Sequence, residues 1–526
     1  MTAQIDAATL KAWLGEEREI ALVDVSEHGQ YGSGHPFFAV PLPYSRFELD
    51  LPALVPNPAV RLVLCDLGDG IAARAAARAA ASGYRDVHIL TGGKPAWRQA
   101  GYTLFAGVNV PSKTFGELIA HARDTPRISA HAVRTMRDAQ ENFVIVDGRP
   151  FAEFRKMSIP GGICCPNGEL ALRIRDMAPD PATKIVINCA GRTRSIIGAQ
   201  TLLDLGIPNP VFALENGTQG WFLAGLELEH GALRRHSDRV GSSDITELQA
   251  RALRFARARS VVDVAPAVAQ AWLRDPTRTT YLLDVRTAED VAKRAVPGFR
   301  HAPGGQLIQA TDAWIGVKGA RMVLADDELV RAPVVAGWLR QLGHEACVLD
   351  GGLAAAATLD WPRPQPPSLP APPRITATEL ARVLDDAAVQ IIDLRPAMTF
   401  RQGHIAQARW SIRPRIAAAA SRGIKTVLVA DERSVATLSA LDLREAGITD
   451  IRLLAGDVAA WRDAGLPIVT TPDHPADADC IDFLFFVHRR HEGDVEAARQ
   501  YLAWETGLLD QLDPQERGAF RVATGL

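Results

Sequence analysis

Cysteine is sparse in this chain: six residues in 526, namely Cys65, Cys164, Cys165, Cys189, Cys347 and Cys480. So few thiols, so scattered, do not form a disulfide framework, and a reducing compartment, the cytoplasm, is expected. No Cys-x-x-Cys or His-x-x-x-His spacing occurs, so neither a metal site nor a bound cofactor is expected. Long apolar runs are missing too; none approaches the ~20 residues that span a bilayer. The opening residues Met1-Thr2-Ala3-Gln4-Ile5-Asp6 lack the basic and apolar regions of a secretory signal. Nor is one sign of charge in excess: 58 Lys and Arg face 61 Asp and Glu, a formal net charge of −3. That excludes a nucleic-acid binder built on a broad basic surface. Neither nucleic acid nor a membrane is expected as a partner.

What the chain has instead is repetition. Its length exceeds one ordinary core and implies about three or four domains. An apolar strand ending in Asp recurs four times, as Ala21-Leu22-Val23-Asp24, Val144-Ile145-Val146-Asp147, Tyr281-Leu282-Leu283-Asp284 and Gln390-Ile391-Ile392-Asp393. Arg149, Arg286 and Arg395 stand two positions later in three of them, Ser26 in the first. A Gly/Pro-rich bend follows, then a second strand, a loop and a helix. A third strand ends in a glycine turn, and Trp97, Trp221 and Trp461 follow it in three units. Strands alternating with helical stretches predict an α/β fold, each unit a parallel sheet flanked by helices. The repeat sets expected domains at 1–108, 109–236, 237–365 and 374–474, with a helical C-terminal extension at 475–526. Joins are expected at 108–115, at the polar stretch 234–243 and at the proline-rich stretch 362–373. The extension is expected to pack on the last unit or on a partner chain, and the basic cluster His488-Arg489-Arg490-His491 to be a solvated face.

One loop stands out chemically: Ile185-Val186-Ile187-Asn188 runs into Cys189-Ala190-Gly191-Arg192-Thr193-Arg194-Ser195, and a helix is expected next. A thiol at a strand end, facing a helix N-terminus and two arginines, sits where negative charge is favoured. Such surroundings favour the thiolate and stabilise an anionic sulfur adduct. Aligned by strands and glycine turns, the sister loops place Asp66, Asp326 and Asp431 at the Cys189 position. A carboxylate cannot accept sulfur as a thiolate does, so only the second unit is expected to turn over. Cys65, one residue early, should point away from its loop.

The layout resembles the rhodanese family of sulfurtransferases over four tandem modules, about residues 1–475. The resemblance rests on Asp147-Gly148-Arg149, Glu153-Phe154, Ile159-Pro160-Gly161-Gly162 and the loop from Cys189 to Ser195, in family order and spacing. It implies a doubly wound α/β module with the cysteine loop at the carboxyl edge of the sheet, and a cysteine that cycles through a persulfide. It also implies that units one, three and four are inactive modules serving structure, interaction or regulation.

The expected chemistry is a two-step transfer. Cys189 takes the outer sulfur of an anionic donor such as thiosulfate, then passes it to cyanide or a thiol. A protein partner in a sulfur relay and an oligomer are compatible with this. The loop amides of Ala190, Gly191, Arg192, Thr193, Arg194 and Ser195 would cradle the persulfide, with Gly191 permitting the tight backbone. Arg192 and Arg194 are candidates for the donor's anionic end. The Ser195 hydroxyl either bonds within the loop or caps the helix. Arg155 and Lys156 are each either a second anion anchor or a surface charge. Asp147, Arg149 and Glu153 recur as Asp284, Arg286 and Glu289 where the nucleophile is absent, which marks the trio as architectural. Cys164 and Cys165 are expected in the core. Alternative donors are 3-mercaptopyruvate and glutathione persulfide. A scaffold that binds relay partners through the inactive modules is a further alternative. Cys189 and Arg194 enclose four residues, too tight a loop for phosphatase chemistry.

Overall fold

The computed structural model describes residues 3–238, 245–360, 369–384, 389–490 and 493–523. The proline-rich join lies outside them as far as residue 368, as do residues 239–243 of the polar join and His491. The four apolar runs become interior strands of four five-stranded sheets. Numbering the strands within each unit, every sheet has the order 1-5-4-2-3, and the fourth adds a small antiparallel pair, His404–Ile405 with Ile468–Val469. The five-stranded sheets are parallel throughout. Parallel strands need crossovers, and the intervening helices cover both faces. The central strands Ile20–Asp24 and Arg61–Cys65 are accordingly buried along their whole length. Among the described residues no helix is long and apolar enough to cross a membrane.

The Asp-x-Arg signature holds the turn after each central strand. Arg149 donates from Nε and Nη2 to the two oxygens of Asp147, at 2.9 and 2.8 Å, and from Nη2 to Met157 O at 2.7 Å. Arg286 repeats this with Asp284 and Arg294 O, and Arg395 with Asp393 and Gly403 O. Each arginine ties the strand end to the far side of its short helix. In the first unit Lys94 takes this place, 2.9 Å from Asp24. The tryptophans also repeat. The buried indoles of Trp97, Trp221 and Trp461 donate to Thr103 O, Glu227 O and Pro467 O.

Two expectations about the chain's joints change. Residues 108–115 are no mere connector, since Val110–Arg123 is a helix that opens on a left-handed Asn109 with Pro111 in its first turn. The C-terminal extension does not rest on the last unit alone. It is a strap across all four. Asp482 accepts from Ala397 N in unit four at 2.8 Å, and Ile481 O accepts from Gly29 N in unit one at 2.8 Å. Glu505 reaches Thr193 in unit two, and Arg521 N donates to Gln341 O in unit three at 2.8 Å.

The units also bind one another directly. One apolar cluster joins Phe47 of unit one, Phe115 and Ile196 of unit two, and Phe255 and Trp338 of unit three. Arg331 of unit three grips Glu169 of unit two at 2.6 and 3.0 Å. Arg413 of unit four, fully buried, bonds Glu48 of unit one at 2.5 and 2.8 Å and its own Asp442 at 3.0 Å.

Candidate active site

The strand Lys184–Asn188 pairs with Phe143–Asp147 so that Asn188 lies opposite Asp147, and its Nδ2 donates to Asp147 Oδ2 at 2.7 Å. Cys189 is therefore the first residue past the sheet edge, with three residues between it and the helix Thr193–Asp204. Its thiol is nearly buried, 2% exposed, at the floor of a cavity of about 370 Å³. Sγ lies 3.2 Å from Ser195 Oγ, which donates to Arg192 O at 2.9 Å. Ser195 is the third residue of the helix and not its cap, which resolves its role toward the loop. Among the described residues, no acceptor meets the amides of Ala190, Gly191, Arg192, Arg194 and Ser195. Behind the loop Gly217, at φ +56°, lets the next turn approach: a Cβ there would stand 2.3 Å from Cys189 O.

Both loop arginines carry partners. Arg192 is held by Glu117 of the Val110–Arg123 helix, Nε to Oε1 at 2.6 Å and Nη2 to Oε2 at 2.8 Å. Arg194 pairs with Glu153 at 3.0 and 2.8 Å and reaches Gln306 of unit three at 3.3 Å. Glu153 thus serves the loop through Arg194 while its charge also favours the Arg149 guanidinium, so the trio is not purely architectural. Arg155 is exposed and outside the cavity, whereas Lys156 lines it. Successive helical residues point about 100° apart, so the face carrying Glu153 and Lys156 toward the cavity turns Arg155 away. Cys164 and Cys165 are buried in separate apolar clusters, and burial pushes the Cys164 thiol up to about 12.

The strap forms the cavity's far wall. Tyr501, Trp504 and Glu505 of the helix Val495–Thr506 line it together with His488 and Arg490. Two members of the basic cluster therefore line the site, Arg490 half-buried and His488 still exposed to solvent. Glu505, 1% exposed, accepts from Thr193 Oγ1 at 2.7 Å, from Thr193 N at 3.4 Å and from Lys113 Nζ at 3.4 Å. Burial pushes its carboxyl upward, but Lys113, the Thr193 hydroxyl, Arg490 and Arg192 outweigh that and hold it below the ordinary value. Lys113 Nζ also donates to the Tyr501 hydroxyl, and the Arg490 guanidinium lies 3.4 Å from the Tyr501 ring centre. Gly191 does not have the left-handed φ expected of a tight turn. What requires glycine there is the strap, since a Cβ would meet Glu505 Oε2 at 2.9 Å and Tyr501 Cε1 at 3.2 Å.

A family model of the rhodanese-like domain matches residues 6–100, 129–224, 265–358 and 376–464. The chain belongs to the rhodanese family. It is similar to the crystal structure of a thiosulfate sulfurtransferase from Pseudomonas aeruginosa, 40% identical over 99% of both chains with a TM-score of 0.91. Single modules are matched as well. A rhodanese-related protein from Thermoplasma volcanium is 23% identical, covering 20% of this chain and 97% of its own, with a TM-score of 0.18. A Rhodopseudomonas palustris protein described as a possible tyrosine phosphatase is 30% identical, covering 21% and 90%, with a TM-score of 0.19. No curated protein matches the chain.

The sister rhodanese loops differ in how they are filled. Asp24 pairs with Cys65 and Asp284 with Ala325, so Asp66 and Asp326 occupy the place of Cys189. Asp66 accepts from Gly68 N at 2.8 Å and Ala72 N at 2.9 Å, and Asp326 from Val330 N at 3.1 Å and Arg331 N at 3.0 Å. Each carboxylate occupies its own amide cradle. Cys65 turns into the apolar core with Leu10 and Trp97. In the fourth unit Asp393 pairs with Val429, so Ala430 and not Asp431 takes the cysteine's place. Only Asp431 and Glu432 separate it from the helix Arg433–Glu445, a shorter loop than the one after Cys189. Aligning by residue type had placed the aspartate one position late.

Lys113, Glu117, Tyr501 and Glu505 were not legible as site residues. A faint signal existed for the last two: Ala497, Tyr501 and Glu505 recur at i, i+4 and i+8, which puts an acid on an otherwise apolar helix face.

Proposed function

We propose that this rhodanese is a sulfurtransferase of the second unit, moving sulfane sulfur from a small anionic donor to a thiophilic acceptor through a persulfide on Cys189. The observation that carries the reading is the cavity itself. Its floor is the Cys189 thiol, and six cationic side chains against two carboxylates line it. The first step forms a bond from Cys189 Sγ to the outer sulfur of thiosulfate and breaks the donor's S–S bond. Sulfite leaves with the electron pair. In the second step cyanide or a thiolate attacks the outer sulfur, and Cys189 is released as the thiolate. With the thiol protonated, Sγ–H donates to Ser195 Oγ, whose hydrogen goes to Arg192 O. With the thiolate, the same hydroxyl turns to Sγ. The open amides of the loop serve the persulfide in the manner of an anion nest. Lys156 and Arg194, at the rim, suit the donor's charged end.

The similarity to a thiosulfate sulfurtransferase favours thiosulfate as donor. Units one, three and four serve as non-catalytic scaffold modules, their boundaries as set by the repeat. Donor-resolved kinetics test the reading: kcat/KM for thiosulfate, 3-mercaptopyruvate and glutathione persulfide, with cyanide or a thiol as acceptor, on the full chain and on Cys189→Ser. Turnover that survives in Cys189→Ser would sink it.

A further inference from the structure

Three of the four loops have a carboxylate at the amides that open the following helix. In units one and three it is the loop's own, Asp66 and Asp326. In unit two, where the cysteine stands, it arrives from 312 residues away: Glu505 Oε1 accepts from Thr193 N and Oγ1 at the first residue of the helix. The other oxygen, Oε2, faces Gly191 and has no hydrogen-bond partner among the described residues. The cysteine loop therefore holds a resident buried anion with one open acceptor. An incoming anion meets Coulomb repulsion from it in proportion to its own charge. The open oxygen suits a group that brings a hydrogen, as an organic thiol does and thiosulfate does not.

We propose that Glu505 is a specificity-determining residue of the Cys189 site, supplied by the C-terminal strap, which disfavours doubly charged sulfur donors relative to singly charged ones. The proposal rests on the sulfurtransferase reading above and names the residue that tunes its donor range. Unit two thus has an anion-filled loop like units one and three, but one whose filler is on a separate element and leaves the sulfur position to the thiol.

The test compares full-length wild type with Glu505→Gln and Glu505→Asp, using thiosulfate as the dianionic donor and 3-mercaptopyruvate as the monoanionic one. Glutamine keeps the shape and the acceptor for Thr193 while removing the charge. It is expected to raise the ratio of kcat/KM for thiosulfate over 3-mercaptopyruvate by about tenfold, through KM. Aspartate withdraws the charge by one methylene and moves the ratio the same way by less. An equal change for both donors, or a loss for thiosulfate, overturns the proposal. If the glutamine variant does not fold, the aspartate variant decides, and an unmoved ratio overturns the proposal. A binding readout separates this from failure of the underlying chemistry: thiosulfate titrated onto Cys189→Ser should bind more tightly when Glu505→Gln is added. Binding that does not tighten overturns the proposal even if Cys189 carries sulfur. Full turnover by Cys189→Ser overturns the reading beneath it.

Discussion

Arg192 and Glu117 form a two-pronged ion pair between the cysteine loop and the helix that opens unit two, at 2.6 and 2.8 Å. The Glu117 side chain is only 2% exposed, so this arginine neutralises a charge that water does not reach. Arg192→Ala strands that carboxylate and should cost about 3–5 kcal/mol of stability. Arg194→Ala differs, because its partner Glu153 is 42% exposed and can be hydrated. It should cost at most ~1 kcal/mol while raising the donor KM by about tenfold through the lost charge-assisted contact. Urea denaturation and donor kinetics on both variants check this. Equal stability losses would contradict the division of roles.

The sister loops give a second expectation. Asp66→Ala leaves the amides of Gly68 and Ala72 without their acceptor and should lower stability by about 1–2 kcal/mol with turnover unchanged. Asp66→Cys should take up no sulfur, since Leu67-Gly68-Asp69-Gly70 offers no cation and one acid. Sulfur found on that cysteine by mass spectrometry would show that the loop's charge does not matter.

Much of the second unit was legible because its determinants are local. Asp147 and Arg149 are two residues apart, and the same turn is built in three units. Cys189 and Ser195 share one loop and the start of one helix. Buried strands announced themselves as apolar runs, and the Trp97, Trp221 and Trp461 turns by their glycines. What escaped lies far off in sequence. Nothing near Thr193 announces Glu505, and nothing near Arg192 announces Glu117, because tertiary packing brings them together. Lys156 and Arg155 are neighbours that only helix phase separates. Ala430 escaped because strand register, not residue type, decides which side chain stands at the sheet edge.

Docking of the fourth unit depends on Arg413, which bridges Glu48 and Asp442 with no exposure of its side chain. Arg74 and Arg78 of unit one reach the same Asp442 at 2.7 and 2.8 Å. Arg413→Ala leaves Glu48 and Asp442 crowded and should cost about 3–5 kcal/mol. Limited proteolysis should then release a fragment cut ahead of unit four, while the loop of Cys189 keeps its activity only as long as the strap stays bound. A digestion pattern identical to wild type would show that the bridge does not hold the units together.

Stability should also respond to pH through buried carboxyls. Burial pushes Glu27 from 4.5 up to about 7, against hydrogen bonds from Ser45 that act the other way. Burial likewise raises Asp312 and Asp326 from 3.8 to about 6. A carboxyl raised in the fold stabilises it fully below the unfolded value and loses that contribution as pH rises through the folded one. Burial lowers His35 and His344 to about 4, and these act the opposite way over the same range. Glu27 alone should favour the fold at pH 5 over pH 8 by roughly 2.5 kcal/mol. Glu27→Gln should therefore raise the melting temperature at pH 8 relative to that at pH 5. A difference between the two melting temperatures equal to that of wild type would place the pH response elsewhere.

The central claim is that one thiol of six carries the sulfur. Its most direct test is intact mass and peptide mapping of the full-length protein after thiosulfate, before and after cyanide, beside Cys189→Ser. The account predicts a gain of one sulfur atom, mapped to Cys189, lost on adding cyanide and absent from the serine variant. Sulfur on Cys65, Cys164, Cys165, Cys347 or Cys480, or an equal gain by Cys189→Ser, would contradict it.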